Sequence, residues 1–361
     1  MQTFKAVVYQ GGSASLEPVK LTLDALAATQ IRVRITASGV CHTDRHVLSG
    51  AIPVEPPLIL GHEAVGVVEE VGSEVHVLKR GDTVVLLTNP GCGHCWYCVR
   101  GEGQNCLDAE SIRGAARSRT VDGLRVPGFV GLGTFAEQIV VDQAAAVRIE
   151  SSLPSEQLAL VGCGVLTGAG AVLTSPVRAG SSVAVVGCGG VGLAAIQAAK
   201  AVGATTVIAV DPLESKRAAA LALGATHAID PTAENHAESV RAHTGGRGVD
   251  VAFEAVGSSA TIAQTFRATR VGGTTIVLGL PTPGDPVGLD ATEFVFGSKA
   301  LVGSVAGGGD PRRLIPVIVG WAEDGRIDLA GMVTRRIGLE DVQEAMDAMD
   351  RGEGIRSVIV F

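Results

Sequence analysis

Cys92, Cys95, Cys98 and Cys106 form C-x2-C-x2-C-x7-C in a chain that holds only seven cysteines. Such short gaps let one loop curl round a single ion. Four thiolates then close a tetrahedral shell, with no position left for a substrate. Zinc in a structural role is the reading, although an iron–sulfur cluster would draw on the same four thiolates. A disulfide knot explains the spacing less well, because the cysteine count is odd and the N-terminus lacks secretory architecture. His94 stands between two of these cysteines and could compete for the ion, but four thiols already suffice.

Other metal-ligand types are scattered. "SGVCHTDRH" holds Cys41, His42, Asp44 and His46, "LGHEAVGVVEEVG" holds His62 and Glu63, and "ALVGCGVLTG" holds Cys163. Each has an ordinary explanation, since a cysteine between glycines packs as a small hydrophobe. Taken together, Cys41, His62 and Cys163 make a Cys2His set. Three protein ligands leave a fourth position open, which is how a catalytic zinc is held.

A third chemistry lies in "SSVAVVGCGGVGLAAIQAAKAVGATTVIAVDPLESK". An apolar, β-branched stretch, Ser182–Val186, runs into Gly187, Gly189 and Gly192. A helical pattern follows, then a second apolar stretch, Thr206–Val210, with Asp211 at its end. G-x-G-x-x-G alone is a weak signal. Between strand and helix, with an acid 24 residues after the first glycine, it reads as a dinucleotide site. The glycines permit the tight turn, the approach of a pyrophosphate and close helix packing, and the helix N-terminus faces the phosphates. Asp211 would accept hydrogen bonds from ribose hydroxyls and repel a 2′-phosphate, so the cofactor reads as NAD rather than NADP. Cys188, inside the turn, reads as a tolerated small residue.

These sites need elements to hold them. The 361 residues suffice for two domains, with 46% hydrophobic residues to build cores. A net charge of -8 and no basic block argue against a nucleic-acid partner. No run of eighteen apolar residues suggests a membrane span, so the expectation is a soluble, cytoplasmic protein. After the glycine turn the pattern alternates. Helical stretches at 214–225, 234–243 and 259–269 separate strands at 227–230, 249–256, 274–280 and 300–305. Six strands alternating with helices describe a doubly wound parallel sheet. Residues before 164 read as short strands with Gly and Pro turns, beginning in "MQTFKAVVYQGG". Helical patterns at 312–323 and 339–350 and a closing strand at 357–361 are assigned back to that β-rich domain. The expected domains are 1–164 with 306–361, and 165–305. His76, His227, His236 and His243 are expected at the surface.

With these motifs in order, the chain resembles the zinc-dependent medium-chain alcohol dehydrogenases along its whole length. "GHEAVGVVEEVGSEV", "GVCHTD", "CGHCWYC" with Cys106, and "GCGGVG" with Asp211 carry the resemblance. The 56 residues between Cys106 and Cys163 are closer to the longer, usually dimeric branch, although segment 108–127 departs from it. The resemblance implies an α/β fold: a Rossmann doubly wound parallel sheet inserted into a β-rich, GroES-like catalytic domain. It implies a catalytic zinc on Cys41, His62 and Cys163, a structural zinc on the four clustered cysteines, and NAD. It implies that Asp44 orients His62, that Glu63 lies behind the metal, and that Thr43 begins a proton relay ending at His46. His42, Arg356, Lys216, Thr167, Leu278 and Leu280 would contact the cofactor, alongside Gly187, Gly189, Gly190, Val191 and Gly192. Thr88, Phe129, Val130, Leu280 and Val305 would line an apolar substrate channel. That channel suits a medium-chain, allylic or aromatic primary alcohol. An S-hydroxymethyl thiol is the alternative substrate, its polar contacts supplied by Arg113, Arg117 and Arg119. A polyol substrate fits less well, because polyol relatives commonly lack Cys163. A homodimer is implied, a tetramer being the other assembly. A non-enzymatic zinc-binding relative is disfavoured by the complete ligand and relay set.

Overall fold

A computed structural model describes residues 3–12, 16–114, 117–233 and 235–361. The chain divides into two compact units. One comprises Met1–Gly164, Asp310–Glu323 and Leu329–Phe361; the other comprises Val165–Gly309 and Asp324–Asp328.

The second unit is built on six parallel strands. Their order across the sheet is His227–Ile229, Thr206–Val210, Ser182–Val186, Val249–Glu254, Thr269–Val277 and Ala300–Gly303. Val183, Ala184 and Val185 are fully buried, as expected of a central strand covered on both faces. Ser182–Val186 has the chain's next strand on one side and a later strand on the other. Loops leaving its C-terminal end therefore diverge, and a crevice opens there. Helices Gly190–Val202, Glu214–Ala222, His236–Ala242 and Ser259–Ala268 make the connections.

Some expectations shift. The strand expected at 274 already starts at Thr269, and the helix expected at 234 starts at His236; Glu234, like Met1 and Gln2 of the expected first strand, lies outside the described residues. A helix at Ala291–Phe296, capped by Asp290, was not visible in the pattern because it is barely two turns long. His236 is buried rather than at the surface. Residues 306–309 and 324–328, expected with the β-rich domain, cluster with this unit. The Thr174 hydroxyl donates to the Gly307 carbonyl at 2.9 Å, and the Asp328 N–H donates to Gln197 Oε1 at 2.6 Å.

The first unit holds two largely antiparallel sheets. The larger runs Ala146–Arg148, Thr83–Leu86, Ala64–Val71, Gln30–Gly39, Arg356–Val360 and Val333–Ile337, and Gln138–Asp142 also pairs with Gln30–Gly39. The smaller runs Leu58–Ile59, Thr3–Tyr9, Pro18–Leu23, Ser118–Thr120 and Arg125–Val126. Ile31, Val33 and Ile35 alternate inward along the longest strand and pack with Val68, Val84 and Leu86 in one core cluster. Among the described residues, no single helix is long and apolar enough to cross a membrane.

Candidate functional site

Three chain segments of the first unit converge on one spot. Cys41 follows strand Gln30–Gly39 and stands at the N-cap of helix His42–Leu48. His62 and Glu63 lead into strand Ala64–Val71, and Cys163 precedes helix Gly164–Thr174. Ligand atoms of Cys41, His62 and Cys163 all lie within 4.8 Å of one another. The approach to His62 requires Gly61, whose φ is +88° and where a Cβ would stand 2.6 Å from the Phe135 backbone nitrogen.

His62 is 2% exposed. Its Nδ1 bonds Asp44 Oδ1 at 3.1 Å, and the same oxygen accepts the Gly61 N–H at 2.9 Å. Asp44 therefore fixes the ring, and Nε2 is left buried without a hydrogen-bond partner. Phe129 meets the imidazole edge-on, with centroids 5.7 Å apart. Burial opposes a charge on this imidazole, but Asp44 and Cys41 outweigh it and push His62 up to about 10. The hydrogen bond from Cys163 holds the Cys41 thiol well below its ordinary value, and the same bond, with burial, raises Cys163. An oriented imidazole with an orphan Nε2 beside two thiols is a donor set that fits zinc.

Neighbouring residues fall as follows. The Thr43 hydroxyl lies 3.7 Å from Cys41 Sγ, and His46 follows it by three residues on the same short helix. His42 is exposed on that helix. Glu63 is fully buried; its Oε1 accepts the Gly164 N–H at 2.7 Å and its Oε2 pairs with the Arg356 guanidinium. Arg356 is itself 6% exposed, so its main partner here is Glu63. The resemblance implies Glu63 behind the metal and Arg356 at the cofactor; the structure joins the two in one buried ion pair. Gly39 leaves room for this carboxylate, since a Cβ there would lie 2.2 Å from Glu63 Oε2.

The four clustered cysteines also converge, their sulfurs within 4.8 Å of one another. Cys92–Cys98 and Cys95–Cys106 are each 3.9 Å apart. A tetrahedron of Zn–S bonds near 2.3 Å has edges of about 3.8 Å. Backbone N–H groups of Cys92 and Cys95 donate to sulfur at 3.2 Å. Trp96 packs edge-on against Tyr97, and the Arg100 guanidinium sits 4.1 Å over its ring.

In the second unit the glycine turn has the geometry its sequence demands. Gly187 has φ +90°, and a Cβ on Gly192 would lie 1.8 Å from the Gly187 carbonyl oxygen. A Cβ at Gly189 would meet nothing within 4 Å. Asp211 ends its strand, with Oδ2 accepting the Cys188 N–H at 2.8 Å and Oδ1 the Leu213 N–H at 2.9 Å. The Cys188 thiol is buried, and burial together with Asp211 pushes it up to about 12. Gly190 and Val191 open the following helix. Lys216 lies near Asp211, its ammonium pulled below its usual range by burial. Thr167 lies on helix Gly164–Thr174, and Leu278 and Leu280 follow strand Thr269–Val277.

Of the expected substrate wall, Thr88, Phe129 and Val130 belong to the first unit, and Leu280 and Val305 to the second. Phe129 is buried, and Val130 takes φ +48°, a costly conformation for a β-branched residue. Arg113 Nε donates to the Thr88 carbonyl at 2.9 Å, and Arg119 pairs with Asp24 at 2.7 Å. Arg113 and Arg119, offered for a thiol adduct, thus have partners within the protein.

Residues 27–151 match the alcohol dehydrogenase GroES-like domain, and residues 190–320 match the zinc-binding dehydrogenase domain. The chain is 38% identical to geraniol dehydrogenase of Castellaniella defragrans, over 97% of this chain and 95% of that protein. Among solved structures it is similar to benzyl alcohol dehydrogenase from Acinetobacter calcoaceticus, at 30% identity and a TM-score of 0.93 over both whole chains. It is also similar, at 28% identity and a TM-score of 0.82 over both whole chains, to a zinc-binding dehydrogenase of Sinorhizobium meliloti 1021 solved with NADP. Fold and sites together define a zinc enzyme that uses a nicotinamide cofactor. The chain belongs to the zinc-dependent medium-chain alcohol dehydrogenase family.

Proposed function

We propose that the protein reversibly oxidises a medium-chain, allylic or aromatic primary alcohol to the aldehyde, using NAD and two zinc ions per chain. The observation that carries the chemistry is the buried, partnerless Nε2 of His62 beside the Cys41 and Cys163 thiols. When bound, zinc supplies Lewis-acid polarisation of the alcohol oxygen and NAD supplies the hydride acceptor. Asp44 keeps His62 Nδ1 protonated, so that Nε2 is the ligating atom. The Thr43 hydroxyl both accepts and donates, so it can take the substrate proton, and His46, three residues on, can pass it toward solvent. Glu63 and Arg356 stabilise the wall beside Cys163 through the Gly164 N–H. Lys216 adds positive charge for the cofactor, and His42 an imidazole that can hydrogen-bond its pyrophosphate.

Preference for NAD is supported by Asp211, whose carboxylate is held at the glycine turn by two backbone N–H groups. The substrate class is supported by the names of the geraniol and benzyl alcohol relatives and by the apolar side chains Phe129 and Val130. Homodimerisation, as in the longer-loop branch, is supported by the exposed edge strand Ala300–Gly303, with Val302 46% and the nearby Phe296 82% exposed. The S-hydroxymethyl-thiol alternative draws less support, since Arg113 and Arg119 have internal partners. NADH absorbance, measured over a panel of alcohols with NAD or NADP and with or without added thiol, tests the reading. Activity confined to thiol adducts, or a preference for NADP, would overturn it.

A further inference from the structure

Beside the four-sulfur cluster lies a second group of ligand atoms. Cys92 Sγ, a ring nitrogen of His94 and a carboxylate oxygen of Asp108 lie within 4.8 Å of one another. His94 is exposed, whereas Cys92 and Asp108 are half-buried. Asp108 occupies the N-cap of helix Ala109–Arg113, a position where aspartate ordinarily accepts a backbone N–H. Its side chain makes no such bond and interacts with the Cys92 thiol instead. The His94 backbone N–H also points at Cys92 Sγ, at 3.5 Å. Loop and helix end thus turn three donors of different chemistry toward one point at the surface.

We propose that Cys92, His94 and Asp108 form an outer, transient site for a divalent transition-metal ion, through which zinc enters and leaves the four-thiolate site. Mixed sulfur, nitrogen and oxygen donors suit zinc, and exposure keeps the site weak and accessible. Cys92 belongs to both groups. Its thiolate can therefore hold an ion captured by His94 and Asp108 while Cys95, Cys98 and Cys106 replace those two ligands. The step is a ligand exchange without redox change. Each thiol that joins the ion gives its proton to solvent, and His94 and Asp108 return to water. The inference rests on the four cysteines holding zinc.

An intermediate site changes rates but not the equilibrium, so entry and exit must slow by one factor when it is removed. The test uses a Cys163→Ser background, which leaves the lobe as the complete site. Bound zinc is exchanged against isotopically enriched zinc and followed by intact-protein mass spectrometry. The substitutions His94→Ala with Asp108→Asn should slow exchange about tenfold, the scale of losing neighbouring ligand-orienting groups. Zinc content and melting temperature should stay unchanged, and Asp108→Glu should restore part of the rate. An unchanged exchange rate would overturn the proposal. So would a fall in zinc content, because the two side chains would then be stabilising the final site rather than serving its route. A background protein that carries no lobe zinc at all would refute the four-thiolate reading itself.

Discussion

At the scale of single residues, hydroxyl, carboxylate and thiol can each be tested by substitution. Thr43→Ala removes the group proposed to take the substrate proton, and general acid–base help of that kind is worth about a hundredfold or more. Hydride transfer in a single turnover should fall by at least that factor, while Thr43→Ser retains most of it. A normal rate in Thr43→Ala would reduce Thr43 to wall. Asp211 can be probed more cleanly than its position in sequence suggested. Asp211→Gly would orphan the N–H groups of Cys188 and Leu213 as well as removing charge. Asp211→Asn keeps one acceptor and leaves one N–H facing an amide donor, so it should raise NADP use and weaken NAD by roughly ten- to a hundredfold at a smaller stability cost than Asp211→Gly. Metal content separates the two cysteine sets. Cys163→Ser should lose one zinc and nearly all activity yet still bind NADH, whereas Cys95→Ser should lose the lobe zinc and aggregate. One zinc in the unaltered protein would contradict the two-site reading. Asp211 and the four clustered cysteines could be singled out because spacing carries their chemistry, whereas the role of Thr43 was implied by the family resemblance alone. The Glu63–Arg356 pair was not legible in the sequence, since 293 positions separate its members. Charge pairing across such a distance depends on which strands meet.

At the scale of elements, the parallel sheet is tied across three strands by Asp250. Its Oδ2 accepts the N–H and hydroxyl of Ser182 at 2.7 and 2.8 Å, and Arg270 Nε donates to Oδ1 at 2.6 Å. Burial pulls this carboxyl upward, but Ser182 and Arg270 outweigh it and hold it below its usual value. A carboxyl depressed in the fold stabilises it above the unfolded value and loses that contribution as pH falls through the folded one. Asp250→Asn should therefore melt lower than the parent at neutral pH. The gap should close as the solution is acidified through and below the carboxylate range. Melting scans at several pH values check this; a gap independent of pH would mean the ion pair is not its source. The strands joined here were visible as apolar runs, as was the glycine turn, because buried parallel strands have no polar alternation. Helix Ala291–Phe296 was not visible, since six residues complete too few turns to show a period.

At the scale of the whole molecule, assembly and chain order remain. If the edge strand Ala300–Gly303 meets a second copy, Phe296→Asp should yield a monomer by light scattering while zinc content stays normal. A dimer that survives the charge would place the interface elsewhere. Val358, Ile359 and Val360 pair with Gly39, Ser38 and Ala37, the residues immediately before Cys41, and Arg356 neutralises Glu63 beside Cys163. During synthesis on the ribosome, residues 165–309 emerge before residues 324–328, which complete their unit. Cys41, His62 and Cys163 will have emerged long before, but the strand that braces Cys41 and the cation that balances Glu63 come more than 190 residues after Cys163. The nascent chain therefore carries an unbraced set of thiols through most of its translation. An ion held by Cys41, His62 and Cys163 could be gripped in final form only after residue 360 has left the exit tunnel.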